Sequence, residues 1–201
     1  MHDFTGIILV GGLSQRMGQD KFLLDFYGTP LLKNLADELA KTAREIHIVT
    51  KSSDSLAALN LHHSIITDVH PSRSAMAGIY TGLQSALYDH VFVLACDLPL
   101  FDHRVTTLMQ SRLPQFDTIA PKTPGGLETL CAFYHKKHLP IIDSMIRDEN
   151  YRLTDFLNQT KNLVLPASHF ESAIYPDVFF NMNSPEDYST ALKLFKDRKS
   201  I

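Results

Sequence analysis

Short apolar runs alternate along this chain with longer segments whose apolar residues recur every three or four positions. The runs are rich in Val and Ile and carry few polar residues, as strands do when both faces of a sheet are covered. They predict eight strands: GIILV (6–10), IHIVT (46–50), SIITD (64–68), HVFVLACD (90–97), DTIAP (117–121), LCAFY (130–134), NLVLP (162–166) and VFFNMN (178–183).

The segments between these runs predict helices, at TPLLKNLADELAKTA (29–43), MAGIYTGLQSALY (76–88), HRVTTLMQSRL (103–113), KKHLPIIDSMI (136–146) and NSPEDYSTALKLF (183–195). The last one has the clearest start, because Ser184 can cap it, Pro185 suits its first position, and Asp187 stands where a capping-box acid would. Alternating strands and helices are typical of an α/β fold with a mostly parallel sheet covered on both faces. KTPGGLE (122–128) predicts a loop over the sheet rather than a boundary between domains. We therefore expect a single domain over residues 1–201.

The bulk composition narrows the class of protein. The chain has 201 residues, 44% of them hydrophobic, and a formal net charge of −3, which gives no basic footprint for nucleic acid. The two cysteines are far apart and outside any CxxC pattern, so neither a disulfide framework nor a zinc site is indicated. The start of the chain lacks a signal-peptide pattern, and no apolar stretch approaches the ~20 residues that span a bilayer. We therefore expect a cytoplasmic protein that does not bind membranes.

The first predicted strand leads into the motif LVGGLSQRMGQDK (9–21). Gly11 and Gly12 allow close approach of backbone N–H groups to an anion. Arg16 offers a planar fork of donors suited to phosphate, and Lys21 a point charge. The spacing fits neither a Walker A loop nor the GxGxxG dinucleotide fingerprint. A turn with two solvated cations is the alternative, but Arg16, Gly18 and Lys21 together in one loop favour a phosphate site.

Asp97, in LACDLPLF, follows the strongest predicted strand. Ligands of open α/β sheets bind outside the carboxyl ends of strands, and a carboxylate there suits a hard cation such as Mg²⁺. A helix cap or a turn is the alternative for Asp97. Its neighbour Cys96 is expected to be a small buried residue rather than a nucleophile.

Three further positions carry weaker signals. In NMNSPED, strand alternation would aim Asn181 and Asn183 to the same side, where their amides could bind a metal or phosphate or only close a turn. Asp68 ends a predicted strand and could reach the same rim or serve as a cap. Glu128 is interpreted as a solvated loop acid in preference to a substrate contact, and His62 and His63 as a surface pair.

Together, LVGGLSQRMGQDK, CDLP and NMNSPED resemble the motifs LAGGxSxRMGxDK, CDxP and NxNTPED of the molybdenum cofactor guanylyltransferase family, in the same order over nearly the whole chain. The DK ending separates this family from relatives that end in PK. The resemblance implies a Rossmann-like, three-layer α/β/α fold of the nucleotide-diphospho-sugar transferase type. It also implies transfer of GMP from GTP to the terminal phosphate of molybdopterin, with release of pyrophosphate, Mg²⁺ as cofactor and transient contact with molybdoenzymes or their chaperones.

The resemblance also implies roles for individual residues. On the nucleotide side, Leu9, Val10 and Gly11 would line guanine and ribose, Gly12, Arg16 and Lys21 would face the phosphates, and Asp68 would contact the nucleotide. Asp97 would hold Mg²⁺, and Asn181 and Asn183 would lie near the metal or the pterin phosphate. Arg16, Lys21 and Asp97 are thus the expected catalytic residues.

The expected mechanism is an in-line attack by a phosphate oxygen on the α-phosphorus of GTP. In this hypothesis Mg²⁺ on Asp97 bridges the two phosphates, while Arg16 and Lys21 stabilise the departing pyrophosphate. The incoming phosphate is already ionised, so no general base is required.

Three departures from the family pattern are present: Val10 for alanine, SAMAGI (74–79) for GPLAGI, and ETLCAFY without its usual proline. Two alternatives remain within the enzyme class, a molybdenum cofactor cytidylyltransferase and a sugar-phosphate nucleotidyltransferase. A third alternative is an inactive nucleotide-binding regulatory protein.

Overall fold

The fold is a mixed sheet flanked by helices, seen in a computed structural model that describes residues 2–11, 20–171 and 173–199. The strands of these residues are β1 (Thr5–Val10), β2 (Glu45–Thr50), β3 (Ser64–Thr67), β4 (His90–Ala95), β5 (Thr118–Thr123), β6 (Gly126–Leu127), β7 (Cys131–His135) and β8 (Asn162–Pro166). The helices are α1 (Leu31–Leu39), α2 (Ala75–Ser85), α3 (Arg104–Gln110), α4 (Leu139–Arg147), α5 (Leu153–Leu157), α6 (Ser168–Glu171) and α7 (Pro185–Lys199). Short 3₁₀ turns cover Lys21–Leu23, Asp54–Leu59 and Lys136–His138.

The strand order is β3-β2-β1-β4-β7-β5-β6, and β8 pairs with β5. Strands β1 to β4 are parallel, as are β5 and β8, whereas β7 runs antiparallel to both of its neighbours. The chain leaves β1 toward β2 on one side and returns to β4 on the other. The strand order therefore reverses beside β1, which opens a crevice at the carboxyl ends of these strands.

Alternate residues of β1 face two separate apolar cores. Ile8 packs with α1, α3 and α7 on one face of the sheet, while Ile7 packs with α2, α4 and α5 on the other. Both side chains are 0% exposed. This two-sided burial explains the unbroken apolar run of the strand and confirms the expected three-layer α/β/α architecture with a mostly parallel sheet.

Seven of the eight predicted strands are confirmed to within about two residues of their ends, a normal disagreement for element boundaries. The eighth prediction, VFFNMN (178–183), is wrong, because the segment forms turns and irregular extended chain. The segment still alternates, since Met182 is 0% exposed while Asn181 and Asn183 are exposed. Burial of Met182 in the core therefore takes the place of strand pairing.

Helix α7 packs against the segment that follows Lys21. Phe26 makes edge-to-face contacts with Tyr188 and Phe195 of α7, with ring centroids 5.6 and 5.4 Å apart. The Tyr27 hydroxyl donates to the carbonyl of Leu192 at 3.1 Å. These contacts hold the start of α7 beside residues 21–27. In the described part of the chain, every helix is too short or too polar to cross a membrane.

Candidate active site

A cavity of about 680 Å³ opens at the carboxyl ends of the four parallel strands β1 to β4. The residues that directly follow β1, β2 and β3 line it, together with the Cys96–Asp97 pair that follows β4: Gly11, Lys51, Asp68, Cys96 and Asp97. Leu9 and Val10 form part of its floor, and Lys21 and Asn183 part of its rim. The volume lies within the range of small-molecule sites.

Lys21 and Asn183 meet across this cavity. The Lys21 ammonium donates a hydrogen bond of 2.8 Å to Asn183 Oδ1, although 162 positions separate the two residues. The capping box at the start of α7 holds Asn183 in place. Asp187 accepts from the backbone N–H groups of Asn183 at 2.7 Å and Ser184 at 2.8 Å, and Ser184 Oγ accepts from the N–H of Asp187 at 3.2 Å.

Asp97 is half-buried at the end of β4, and its burial raises the pKa of its carboxyl group, an effect that the charge of Lys21 opposes. A carboxylate in such surroundings is stabilised by a nearby cation. The adjacent Cys96 thiol is buried, and burial together with the charge of Asp97 raises its pKa to about 11. Cys96 is therefore a protonated residue of the core, in agreement with its interpretation as a non-nucleophile.

Asp68 is 5% exposed, and its carboxylate is fully engaged with neighbouring groups. One oxygen accepts from the His70 backbone N–H and from the Thr81 hydroxyl, each at 3.0 Å. The other pairs with the Lys51 ammonium at 2.7 Å, and Lys51 also donates to the carbonyl of His70. Asp68 lines the cavity as expected, and it forms an ion pair with Lys51 there.

Lys51 was not singled out in the sequence. Lys51 directly follows β2, and Asp97 lies two residues after the end of β4. A polar residue just beyond the carboxyl end of a parallel strand is the signal that could have identified Lys51. Arg73 also lines the cavity. The described part of the site thus holds three cationic side chains, Lys21, Lys51 and Arg73, around the carboxylates of Asp68 and Asp97.

The altered SAMAGI segment forms the wall of the cavity nearest Leu9. Ser74 caps helix α2, its hydroxyl accepting from the Ala77 N–H at 3.2 Å. Gly78, one turn later, lies so close to Leu9 that a Cβ there would stand 3.1 Å from Leu9 Cδ2. The serine therefore supplies a helix start at this wall in a segment where the family pattern has Gly-Pro.

Glu128 lies near Asp97, because β7 is antiparallel to β4 and its start is beside the end of β4. Its carboxylate is half-buried and accepts a hydrogen bond from the Thr123 hydroxyl at 2.8 Å. Burial and the charge of Asp97 raise the pKa of Glu128, while the side chains of Thr123 and Asn181 oppose the rise. The interpretation of Glu128 as a solvated loop acid does not fit this environment.

The structure brings together seven of the ten expected site residues, because Leu9, Val10, Gly11, Lys21, Asp68, Asp97 and Asn183 all line the cavity. Asn181 is exposed two residues before Asn183 and is not part of the lining. Gly12 and Arg16 lie outside the described residues.

A second, smaller cavity of about 480 Å³ lies between α1, α7 and the segment after Asp97. Glu38, Asp102 and His103 on its wall place one ligand atom each within 4.8 Å of one another. Their charges are already compensated, since Glu38 pairs with Lys41 at 2.5 Å and Asp102 with Arg104 at 2.6 Å. This cluster is an ion-pair network that joins α1 to the start of α3.

Comparison with known proteins agrees with this arrangement. The model of the MobA-like NTP transferase domain matches residues 6–163. The chain belongs to this family. It is thus a nucleotidyltransferase, and its sheet and cavity are those of the nucleotide-diphospho-sugar transferase fold.

Relatives match this family member over almost its whole length. A protein of Natranaerobius thermophilus named "Probable molybdenum cofactor guanylyltransferase" is 32% identical, over 94% of this chain and 95% of its own. A protein of the same name from Carboxydothermus hydrogenoformans is 30% identical, over 97% and 98%. The crystal structure of molybdopterin-guanine dinucleotide biosynthesis protein A from Archaeoglobus fulgidus superimposes with a TM-score of 0.82 at 21% identity, covering 96% of this chain and 100% of that one.

Proposed function

We propose that this nucleotidyltransferase transfers GMP from GTP to the terminal phosphate of molybdopterin and releases pyrophosphate. The observation that carries the proposal is the convergence of Lys21, Asn183 and Asp97 on one cavity at the carboxyl ends of β1 and β4. The names of the full-length relatives from Natranaerobius and Carboxydothermus support guanylyl as the transferred group.

The proposed reaction is an in-line displacement at phosphorus. A non-bridging oxygen of the acceptor phosphate forms a bond to the α-phosphorus of GTP, and the bond from that phosphorus to the β-phosphate oxygen breaks. The electron pair of the broken bond leaves with pyrophosphate. Such a step depends on bringing two anions together and on stabilising charge that grows on the leaving group.

Lys21 is suited to the leaving-group side of this reaction. Its ammonium has three N–H donors, and one of them is used by Asn183 Oδ1 at 2.8 Å. The remaining donors are available to phosphate oxygens, while the hydrogen bond holds the charge at the rim of the cavity. Arg16, outside the described residues, is proposed to act on the same phosphates.

Asp97 is suited to a divalent cation. Its carboxylate and the amide oxygens of nearby asparagines are the hard ligands that Mg²⁺ prefers. The raised pKa of its carboxyl, caused by burial, fits a group whose charged form needs a cation in addition to Lys21. Bound Mg²⁺ would supply positive charge that offsets the negative charge of the two reacting phosphates.

The acceptor needs no proton removed, because a phosphate monoester carries its nucleophilic oxygen already ionised near neutral pH. Lys51 and Arg73, beside Asp68 and away from Lys21 in the sequence, are proposed to lie along the nucleoside and triphosphate.

A pyrophosphate-release assay tests the proposal. The protein is supplied with molybdopterin and Mg²⁺, and GTP, CTP, ATP and UTP are compared in parallel. We expect release with GTP to exceed release with the other three, and to require molybdopterin. Preference for CTP would instead support the cytidylyltransferase. Nucleotide binding without release in any arm would support the regulatory alternative and overturn the proposal.

A further inference from the structure

The ion pair on the cavity wall has one accessible partner and one buried partner. The Lys51 ammonium lies 2.7 Å from Asp68 Oδ2, and 31% of the Lys51 side chain is exposed against 4% of the Asp68 side chain. Both residues line the cavity. A ligand in the cavity can therefore reach the ammonium much more easily than the carboxylate.

The carboxylate of Asp68 is held by groups of the protein. Its Oδ1 accepts from the backbone N–H of His70 and from the Thr81 hydroxyl of α2, each at 3.0 Å, and its Oδ2 accepts from Lys51. The backbone N–H of Asp68 donates to the carbonyl of Thr50, at the end of β2, at 2.7 Å. A carboxylate offers about four acceptor positions. Since three donors of the protein already use them, Asp68 has little capacity left for a ligand.

The ammonium of Lys51 keeps one N–H group for a ligand. It has three donors, of which one goes to Asp68 and one to the carbonyl of His70. These two contacts fix the end of a side chain whose four-carbon stem is otherwise flexible. The positive charge and the third donor are therefore in place at the cavity before a ligand binds, which lowers the entropy cost of binding.

The place of this pair in the sheet puts it beside the proposed phosphate site. Lys51 follows β2, which is the neighbour of β1 on the side away from β4. Adjacent strands are about 4.8 Å apart. A nucleotide whose phosphates lie beside Lys21 and above Gly11, as proposed, is therefore within reach of Lys51.

We infer that Asp68 acts on the nucleotide through Lys51. Asp68 is a positioning residue that holds the ammonium at the cavity, and Lys51 contacts the nucleotide through its charge and its third N–H. The family resemblance implies instead that Asp68 itself contacts the nucleotide. The inference rests on the proposed function for the identity of that nucleotide.

A double-mutant cycle of K51M, D68N and K51M/D68N separates the two roles of Asp68. The readout is the affinity for GTP with Mg²⁺, measured by titration calorimetry. K51M should bind GTP about 10- to 100-fold more weakly, because a charge-assisted hydrogen bond is lost. D68N should bind it about 3- to 10-fold more weakly, because an unheld lysine must be ordered on binding. In the K51M background, D68N should cause no further loss.

The sign of the D68N effect is itself informative. Asparagine removes a negative charge beside a polyanion, and this change alone would strengthen GTP binding. A loss that appears only when Lys51 is present is therefore evidence of positioning. In steady-state kinetics, the KM for GTP should rise with kcat within about 3-fold of the wild type, as for a contact made equally before and during the reaction.

Asp117 and Lys137 provide the matched control, because they form an ion pair of 2.6 Å outside the cavity. Asp117 precedes β5, which runs parallel to β4, so this pair lies at the opposite edge of the sheet. D117N and K137M should keep wild-type GTP affinity. If D68N does not fold, T81V takes its place in the cycle, since it removes one donor to Asp68 with little change of shape.

An equal loss from D68N with and without Lys51 would overturn the inference and show that Asp68 contacts the nucleotide directly. Wild-type GTP affinity in K51M would also overturn it. Failure of the proposed function gives a different result: the wild type would prefer CTP, and the same cycle run with CTP would still decide the role of Asp68. A wild type that binds no nucleotide would overturn both.

Discussion

The backbone N–H of Met182 donates a hydrogen bond of 2.9 Å to the carbonyl of Asp97. This contact joins the segment before the last helix to the end of the fourth strand. It places an asparagine on each side of Met182 next to an acid that lies 85 positions earlier in the chain, the difference between 182 and 97. The geometry of the candidate site therefore depends on tertiary contacts between elements that are distant in sequence.

Replacing Lys21 with methionine should lower turnover by about 10²- to 10³-fold, because it removes a charge that we place against the leaving pyrophosphate while keeping most of the side-chain volume. Steady-state pyrophosphate release with GTP and molybdopterin measures the effect. K33M, on the exposed face of α1, is the matched control and should retain wild-type turnover. Equal rates in K21M and K33M would remove Lys21 from the catalytic assignment.

Replacing Asp97 with asparagine should lower turnover by about 10²- to 10³-fold. In the absence of metal, the same change should raise the free energy of unfolding at pH 7. Burial raises the folded-state pKa of Asp97, so ionisation disfavours the folded state. This cost is fully present well above the folded pKa and disappears below the ordinary pKa of an aspartate, 3.8.

Urea unfolding of D97N and the wild type in EDTA, from pH 7 down to pH below 3.8, checks the sign of this effect. The advantage of D97N should shrink as the pH falls. A variant that is less stable than the wild type at pH 7 would show that the carboxylate stabilises the fold, contrary to our expectation.

Replacing Lys51 with methionine should lower the free energy of unfolding by about 1–3 kcal/mol, because Asp68 is left as a buried carboxylate without its cation. Chemical denaturation at pH 7 measures the change. R44M breaks the exposed pair between Arg44 and Asp3 and should leave the free energy of unfolding close to that of the wild type. A result in which both variants unfold at the same denaturant concentration would argue that the Lys51 pair is solvated.

Replacing Gly82 with alanine should destabilise the protein by about 1–3 kcal/mol, in spite of the better helix propensity of alanine. A Cβ at this position of α2 would stand 2.2 Å from Ile7 Cδ1, in a side chain that is 0% exposed. The double variant G82A/I7V removes that methyl group and should recover part of the loss. No recovery in a double-mutant cycle would indicate that backbone distortion, not the Ile7 contact, causes the effect.

The effect of Asp187 on stability should have the opposite pH dependence to that of Asp97. Hydrogen bonds from the backbone N–H of Asn183, and then of Ser184, lower the folded-state pKa of Asp187. Its contribution to stability is therefore present above the ordinary aspartate pKa of 3.8 and is lost as the pH falls through the lower pKa of the folded state. The difference in unfolding midpoint between the wild type and D187A should narrow over that window, and a constant difference would count against the cap.

Much of the fold follows from local sequence pattern, and the exceptions have physical causes. GIILV and HVFVLACD are buried on both faces, so their apolar runs predict the central strands directly. VFFNMN carries a similar pattern, but it does not form a strand: the side chain of Met182 enters the core, while its backbone N–H bonds to the carbonyl of Asp97, beyond the end of β4. The hydrophobic pattern alone does not distinguish a paired strand from a segment such as VFFNMN. It indicates which side chains are buried, but not which backbone groups are hydrogen-bonded to a neighbouring strand.

The candidate site was predictable where chain position alone determines placement. Asp97 and Asp68 each follow a strand, and parallel strands bring their carboxyl ends to one edge. Lys51 follows a strand in the same way, but the sequence alone does not indicate which group a lysine at this position would contact. The structure shows that its ammonium pairs with Asp68 at 2.7 Å. Glu128 lies in a loop with two glycines, and only the antiparallel pairing of β7 with β4 brings it to Asp97.

The hydrogen bond between Met182 and Asp97 has a consequence for the order in which the parts of the enzyme fold. While the polypeptide is being synthesised, the sheet residues of β1 to β8 emerge before Asn181, Asn183 and the last helix that holds them. Both apolar cores can begin to assemble on the ribosome, whereas the candidate site is completed only when α7 docks against Phe26 and its neighbours. A nascent chain would thus acquire its shape before its ability to react with nucleotide.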